Sequence, residues 1–153
     1  MFDELVDKSA GEDGCWPWMG GTQEKGYGVY HTLAQAIPGS PTHAHRIAYE
    51  FEYGSIPAGM EVDHRCFVTA CVNPHHLRLV TSKQNKENRQ GAHGASGIRG
   101  VDLYRNGKWR ARLRHHGRDV YLGYFETAEL AAEAVRDKRL ELFTHSDMDR
   151  KAC

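Results

Sequence analysis

The sequence predicts an α+β protein of two small modules: a metal-stabilised strand–strand–helix (ββα) unit, then a three-stranded antiparallel sheet backed by one helix. The first module is indicated by two cysteines and three histidines concentrated within residues 64–76. The second is indicated by alternating arginines in residues 108–114, which follow an Asn-Gly turn signal. A small-residue segment at 90–96 separates the two patterns and predicts a linker.

Length and hydropathy place the chain among proteins that do not span a membrane. Its 153 residues suit one domain or two small ones, and no apolar run approaches the roughly 18 residues of a membrane span. Residues 1–14 are acidic and lack the pattern of a signal peptide. We therefore expect a cytoplasmic, reducing environment, in which cysteines at motif spacing bind metal rather than form disulfides.

The net charge of zero conceals a strong asymmetry along the chain. Residues 1–60 carry three Lys/Arg against eight Asp/Glu, whereas residues 83–118 carry ten against two. A basic region interleaved with aromatic residues predicts a polyanionic partner for one face of the molecule. The alternative interpretation is an ordinary solvated surface.

The first module, residues 1–89, has a predicted order of elements that ends in the ββα unit. Ile47, Ala48 and Phe51 recur at helical spacing, and a glycine- and proline-containing segment at 54–59 follows them. The predicted elements are a short strand at 27–30, a loop at 32–42, a helix at 44–53, strands at 60–64 and 77–80, and a helix from Thr81 or Ser82 to about Arg89.

The second module, residues 97–143, predicts strands at 101–104, 108–114 and 119–122, followed by a helix capped by Thr127. Side chains alternate along a strand, so the middle strand has an arginine side and an apolar side. The helix should cover the apolar side and leave the arginines open. Residues 144–153 predict a flexible, frayed tail, in which Cys153 is a free thiol. The predicted arginine side comprises Arg110, Arg112 and Arg114, the apolar side comprises Trp109, Ala111 and Leu113, and the helix packs through Leu130, Ala131, Ala134, Val135 and Leu142.

Three residues of the central stretch have the spacing of zinc ligands: Cys66, Cys71 and His76. Zinc prefers four tetrahedral Cys or His ligands. Cys15 is the remaining cysteine before Cys153, and it completes a closed, structural Zn²⁺ site that ties the N-terminal segment to the strand pair. The alternative is that these cysteines pack as small buried hydrophobes.

His64 and Asn85 are then left for chemistry. Hydrolysis of a phosphodiester needs a base to deprotonate water, and histidine titrates near neutral pH. Asn85, on the following helix, offers a neutral oxygen suited to Mg²⁺ or a similar divalent cation. Asp63 could add a carboxylate, although it alternates with His64 along the strand, so both face one site only if the strand twists or bulges.

Residues 15–89 resemble the HNH nucleases, in the His-Cys box branch related to homing endonucleases. The resemblance implies a ββα-metal fold in which His64 activates water, Asn85 holds one catalytic Mg²⁺, and Cys15, Cys66, Cys71 and His76 bind structural zinc. The motifs that carry it are Cys15-Trp16-x-Trp18-x-Gly20-Gly21, Gly26-Tyr27-Gly28, His45-Arg46-x-Ala48-Tyr49-Glu50, Ile56-Pro57-x-Gly59, Val62-Asp63-His64-x-Cys66, Cys71-Val72-Asn73-Pro74-x-His76-Leu77 and Thr81-x-x-x-Asn85.

Two further features follow from this resemblance. Arg46 matches an arginine that lies near the cleaved phosphate in such enzymes, and Asp63 resembles the acidic metal ligand of other HNH enzymes. The branch also has a second zinc site, but no cysteine follows Cys71 until Cys153, so this sequence departs from the pattern there. A homing or phage-type enzyme is implied, which would act in the host cytoplasm if phage-encoded.

The second module resembles an AP2-type DNA-binding domain, whose sheet lies in the major groove of double-stranded DNA. The resemblance and the arginine side together give the contact candidates Arg99, Arg110, Arg112, Arg114 and Tyr121. The motifs are Gly97-Ile98-Arg99-Gly100-Val101, Gly107-Lys108-Trp109-Arg110-Ala111-Arg112-Leu113, Leu122-Gly123-Tyr124-Phe125-Glu126-Thr127 and Ala131-Ala132-Glu133-Ala134.

The sequence therefore predicts a DNA endonuclease whose C-terminal module grips DNA while the N-terminal module hydrolyses a nearby phosphodiester. One active site in a monomer should nick one strand, whereas a homodimer could cut both. The alternative is a non-catalytic, zinc-containing DNA-binding regulator. His64 together with Asn85 favours the enzyme, because a regulator has no use for a free base beside a hard-metal ligand.

Overall fold

The computed structural model describes residues 1–31, 42–89, 91 and 96–150, and it is a mixed α+β structure with two antiparallel sheets, as predicted. The chain divides into two compact units, Met1–Ser82 and Lys83–Cys153. The predicted loop at 32–42 and linker at 90–96 lie largely outside the described residues, as does Cys153. No helix in the described ranges is long and apolar enough to cross a bilayer.

The first unit contains the predicted strand pair. Its elements are helix α1 (Ala44–Tyr53) and strands β1 (Met60–His64) and β2 (Leu77–Thr81). The strands are antiparallel, with Met60 opposite Thr81 and His64 opposite Leu77. The loop between them ends in a 3₁₀ turn, Pro74–His76, so the cysteines and histidines lie at one end of the ladder. This confirms the predicted strand–loop–strand arrangement.

The core of the first unit lies against one face of α1. Its buried residues are Phe2, Trp18, Ala44, Ile47, Ala48 and Val72. Phe51, predicted for the same face, is exposed and contacts the Phe2 ring edge-on at 5.4 Å, because it lies in the last helical turn at the margin of this core. The helix ends at Gly54, whose φ of 87° favours glycine and whose N–H bonds to the Glu50 carbonyl at 3.0 Å.

The predicted strand at 27–30 forms isolated bridges instead of a ladder. Gly28 bridges to Thr22 and Val29 to His43. The Trp18 ring packs directly on the chain here, since a Cβ on Gly28 would lie 2.5 Å from an atom of that ring. Both bridge partners lie outside regular strands, so neither pairing extends.

The second unit contains a three-stranded antiparallel sheet in the order β3 (Val101–Leu103), β4 (Trp109–His115), β5 (Arg118–Phe125). The Asn106-Gly107 turn is present as predicted, and Gly107 adopts a φ of 78°. The second turn is His116-Gly117, with φ values of 47° and 76°. Two successive positive φ values are typical of a type I′ hairpin, which matches the twist of the flanking strands.

Helix α3 (Ala128–Leu142) covers the apolar side of this sheet, as predicted. The Thr127 side chain caps it by accepting the backbone N–H of Leu130 at 3.3 Å. Ala131 and Val135 are buried against Val101 and Ala111. Leu130 itself is half-exposed, because the buried side of the helix is formed by Ala131 and Val135.

Residues 144–150, predicted as a frayed tail, are instead packed onto the second unit. They contain a short helix, α4 (Asp147–Arg150), and a buried ion pair that holds it. Arg139 donates from Nε and Nη2 to the two carboxylate oxygens of Asp149 at 2.9 and 2.7 Å. The pairing of two buried charges fixes the segment, and the sequence carries no periodic signal for such a contact.

We expect Asp149→Ala to destabilise the second unit by about 3–5 kcal/mol, because it leaves the Arg139 charge buried without its carboxylate. The free energy of unfolding, measured by urea denaturation, checks this. Glu141→Ala is the matched control, since it removes an exposed carboxylate paired with Lys138 and should cost less than about 1 kcal/mol. Equal effects of the two substitutions would contradict a structural ion pair.

Helix α2 (Ser82–Glu87) belongs to the second unit from Lys83 onward, which places the boundary between units ahead of the predicted linker. The buried Glu87 carboxylate accepts the Thr144 N–H at 3.1 Å. The Asn88 side-chain oxygen accepts the Asp147 N–H at 3.1 Å. These bonds attach the end of α2 to the chain that follows α3.

Candidate functional site

The four predicted zinc ligands, Cys15, Cys66, Cys71 and His76, come together in the first unit, with ligand atoms within 4.8 Å of one another. His76 Nδ1 lies 3.5 Å from Cys15 Sγ and 3.6 Å from Cys71 Sγ. In a tetrahedral site with Zn–S of about 2.3 Å and Zn–N of about 2.0–2.1 Å, sulfur and nitrogen are about 3.6 Å apart. The donor set and its spacing therefore fit a metal ion, and zinc best.

The thiols of this Cys₃His cluster interact strongly. Hydrogen bonding from the Cys71 thiol lowers the pKa of Cys66 to about 5, and the same contact raises the pKa of Cys71. A thiolate is therefore available at neutral pH, and the thiolate is the form that binds metal. None of the three cysteines of the cluster is in a disulfide.

Backbone pairing brings Cys15 to the loop that holds the other ligands. Trp18 donates its N–H to the Ala70 carbonyl, and Val72 donates to the Trp16 carbonyl, both at 2.9 Å. On one segment these two bonds flank Pro17, two residues after Cys15, and on the other they flank Cys71. The N-terminal segment therefore reaches the cluster through the same kind of pairing that joins strands in a sheet.

Residues 12–14 hold the cluster from outside. Asn73, fully buried, donates its amide to the carbonyls of Glu12 and Gly14 at 2.8 and 2.7 Å. His76 Nε2 donates to the Asp13 carbonyl at 3.0 Å. This bond fixes the ring tautomer, so that Nδ1 presents its lone pair to the thiol side. Asn73 belongs to one of the HNH-like sequence motifs, but the role of its side chain depends on tertiary contacts.

His64 ends β1 next to the cluster, and its side chain is buried, with 6% of the residue exposed. Its Nε2 donates to the Cys71 carbonyl at 2.9 Å. A carbonyl can only accept, so Nε2 carries the proton and the neutral ring keeps its lone pair on Nδ1. Burial lowers the pKa of His64, which favours the neutral ring. The loop that carries the cluster therefore sets the orientation of a neutral imidazole with a lone pair on Nδ1.

A group of aromatic and imidazole rings surrounds His64, and sequence reasoning did not single these residues out. The His45 ring, on α1, has its centroid 4.8 Å from that of His64. Tyr27 lies 5.9 Å from His64 and 5.4 Å from His45. Burial lowers the pKa of His45 to about 2, so His45 is neutral here. The contact joins α1 to β1, and both Tyr27 and His45 belong to HNH-like motifs of the sequence without any pattern that indicates their contact.

Asp63, a candidate metal ligand, is held by Arg78 directly across the strand pair. Arg78 donates from Nε and Nη2 to one oxygen of Asp63, at 3.1 and 2.9 Å. The strand remains regular through Asp63 and His64, so the two side chains point to opposite faces. This carboxylate therefore serves an ion pair within the ladder.

Arg46 and Asn85 lie on two different helices. Arg46 lies on α1, where its charge lowers the pKa of His43 after the larger effect of burial. It therefore belongs to the group of residues around His45. Asn85 is half-buried on α2, in the part of that helix that belongs to the second unit.

The predicted arginine side of the second sheet is exposed opposite α3, and we call it the arginine face. It consists of Arg110, Arg112 and Arg114 on β4 with Tyr121 and Tyr124 on β5. A register shift opposite Ala111 and Arg112 keeps both tyrosines on this face. Tyr124 was not predicted, because the shift cannot be read from the alternation of residues.

Asp102 partly neutralises the arginine face. Arg110 Nε donates to its carboxylate at 2.9 Å, and Arg112 Nε donates at 3.3 Å. One carboxylate thus serves two guanidinium groups, which leaves an excess of positive charge. An approaching polyanion would compete with Asp102 for both arginines.

Arg99, a predicted DNA contact, caps the end of α2. Its guanidinium donates to the carbonyls of Lys86, Glu87 and Arg89 at 2.7–3.0 Å. The last carbonyls of a helix lack partners within the helix, and a cation satisfies them. Three N–H groups of Arg99 are therefore engaged within the unit.

Part of the chain is similar to a known family of proteins. Residues 42–87 match a family model described as HNH endonuclease, and that segment contains α1, the strand pair, His64 and Asn85. The match supports a nuclease of the HNH type.

Two curated proteins of Escherichia phage T7 are similar to part of the chain. "Protein 7.7" is 39% identical over 71 residues, 46% of this chain and 51% of that protein. "Protein 2.8" is 36% identical over 72 residues, 47% of this chain and 46% of that protein. The chain therefore spans about half the length of the curated relatives it matches. No solved structure matches it.

Proposed function

We propose that the protein is a metal-dependent DNA endonuclease of the HNH type, guided to DNA by its second unit. The observation that carries the proposal is the environment of His64. Its buried imidazole is oriented by the Cys71 carbonyl and lies next to a Cys₃His cluster. The HNH endonuclease match over 42–87 supports the same conclusion, because that family implies DNA as the substrate.

In the proposed reaction, His64 Nδ1 takes a proton from a water molecule, and the resulting hydroxide attacks the phosphorus of the scissile phosphodiester. One phosphorus–oxygen bond forms, and the bond to the leaving sugar oxygen breaks. The Nε2 bond to Cys71 keeps the base aligned and stabilises the imidazolium that forms. The neutral ring of His45, packed against His64, limits its rotation without adding a competing charge.

Asn85 is the proposed ligand of the catalytic divalent cation, and Arg46 would stabilise the cleaved phosphate. When bound, Mg²⁺ would supply positive charge for the leaving oxygen. Mg²⁺ keeps several waters and needs few protein ligands, so one amide oxygen with phosphate oxygens is sufficient. Asp63 is not part of this proposal, because Arg78 engages its carboxylate.

The second unit is proposed to grip double-stranded DNA through the arginine face. If these three strands and one helix bind as in AP2-type domains, the sheet would lie in the major groove. Arg110, Arg112 and Arg114 would contact bases or phosphates, with Tyr121 packing beside them. The excess positive charge on this face supports a polyanionic ligand.

Zinc-loaded protein incubated with supercoiled plasmid tests the function. We expect open-circular DNA to accumulate when Mg²⁺ is added and the plasmid to stay intact in buffer without a divalent cation. Open circles that precede linear DNA would indicate nicking by one active site. A plasmid that stays intact in Mg²⁺ and Mn²⁺, although the protein binds it, would favour the non-catalytic regulator.

We expect Arg112→Ala to weaken binding to the cognate DNA by about 1–3 kcal/mol if Arg112 reads a base. Fluorescence anisotropy in Mg²⁺-free buffer at matched salt measures the affinity without cleavage. Lys138→Ala, which removes a cation from α3 on the opposite side of the sheet, should change affinity much less. If the two variants bound alike, Arg112 would lie outside the interface.

A further inference from the structure

A cavity of about 870 Å³ in the second unit is lined by α2, the turn between β4 and β5, and Phe143. We call it the hairpin cavity. Its cationic side chains come from three separate parts of the unit: Lys83, Lys86, Arg89, Arg99 and Arg114. The carboxylate in its lining, Glu87, is already bound by Lys83 at 2.6 Å and by the N–H of Thr144. The cavity therefore has a surplus of positive charge.

Electrostatic crowding within the hairpin cavity agrees with this surplus. Burial lowers the pKa of Arg99, and the charges of Arg139 and Arg89 lower it further. Burial also lowers the pKa of His115, and the charges of His116 and Lys83 add to the effect. A bound anion would relieve this repulsion.

His115 lies in the lining of the hairpin cavity with a ring that is held rigidly. Its Nδ1 is buried, and within the described ranges it has no hydrogen-bond partner. The ring is held in place, stacked on Phe143 at 5.8 Å and edge-on to His116 at 4.2 Å. His115 also lines the cavity, so its ring is placed to respond to a ligand that enters there.

We infer that the hairpin cavity binds a phosphate group of the DNA backbone, an inference that rests on the proposed function. Arg114 belongs both to the arginine face and to the cavity lining, so one cationic surface continues from the sheet onto α2. On α2, Lys83 and Lys86 line the cavity. Successive residues of a helix are about 100° apart, so Asn85, two residues after Lys83, lies about 160° away from it around the helix axis. One side of α2 thus holds DNA while another carries the proposed metal ligand.

The test measures DNA affinity over a range of salt concentrations for wild type, Lys86→Gln and the control Lys138→Gln. Lys86 is exposed on α2, so its loss should leave the fold intact. We expect Lys86→Gln to bind several-fold more weakly and to lower the slope of log K against log[salt] by about 1, as for one lost phosphate contact. The control should match wild type. A Lys86→Gln slope and affinity equal to those of the control would overturn the inference.

A second experiment distinguishes binding of a DNA backbone phosphate from binding of free phosphate. Inorganic phosphate should shift the imidazole NMR signals of His115, and an unlabelled DNA duplex should displace it. Phosphate that binds but is not displaced by DNA, or no shift with either ligand, would overturn the backbone assignment. All binding is measured without Mg²⁺, so a protein that fails to cleave can still confirm the cavity, and an active nuclease with an unchanged slope can still refute it.

Discussion

His64→Ala should reduce the rate of plasmid cleavage by roughly 10²- to 10⁴-fold, which is the usual contribution of a general base to the rate. The substitution removes the proposed proton acceptor and leaves the arginine face of the second unit untouched. DNA affinity measured without Mg²⁺ should therefore remain close to that of wild type. Initial rates of nicking at saturating protein, together with fluorescence anisotropy, check both parts of the prediction.

The control for this variant is His75→Ala, because His75 is an exposed histidine of the same loop. It should cleave at the wild-type rate. His64 is buried, so the melting temperature of His64→Ala must be measured alongside, and His64→Gln offers a variant closer in size. Cleavage by a folded His64 variant at the rate of His75→Ala would remove the basis of the proposed mechanism.

The second large effect is expected for Cys71→Ser, which replaces a fully buried ligand of the Cys₃His cluster. Zinc that binds the folded but not the unfolded chain contributes its binding free energy to stability, about 10–16 kcal/mol in zinc-finger peptides. Each kcal/mol lost lowers the melting temperature of a unit the size of Met1–Ser82 by about 4–8 °C. We therefore expect the first unit to lose its cooperative transition.

Zinc content and thermal melting followed by near-ultraviolet circular dichroism measure this outcome. Val68→Ala is the comparison, since Val68 is an exposed residue between two of the ligands. It should retain one equivalent of zinc and melt near wild type. If Cys71→Ser melted as Val68→Ala does, the cluster would not be a metal site that stabilises the fold.

The sequence was sufficient for those features that depend on local spacing. Cysteines and a histidine a few residues apart in a loop between strands can reach one metal ion, and Cys15 was assigned as the fourth ligand, so the cluster was predicted in full. Alternation along β4 likewise predicted the arginine face, because a strand points successive side chains to opposite sides. The alternation along β4 and the spacing of Cys66, Cys71 and His76 are short-range features, whereas Cys15 follows from its being the remaining cysteine before Cys153.

The remaining features depend on contacts between residues far apart in the chain. His45 meets His64 only because α1 packs against β1, and no periodicity indicates that contact. Arg99, a predicted DNA contact, satisfies carbonyls at the end of α2, a role that no local pattern indicates. Arg139 and Asp149 order a segment whose composition suggested a frayed tail. In each case the side chain meets a neighbour that only the folded chain brings near.

The central claim is that one stretch of sequence holds a scaffold metal and a separate hydrolytic site, and metal add-back tests it most directly. Protein stripped by a strong chelator is given one equivalent of Zn²⁺, then Mg²⁺, and both the melting temperature and plasmid nicking are measured. We predict that Zn²⁺ alone restores the melting temperature, while nicking returns only after Mg²⁺ is added. Recovery of the melting temperature with Mg²⁺ alone, or full nicking with stoichiometric Zn²⁺ alone, would contradict the account.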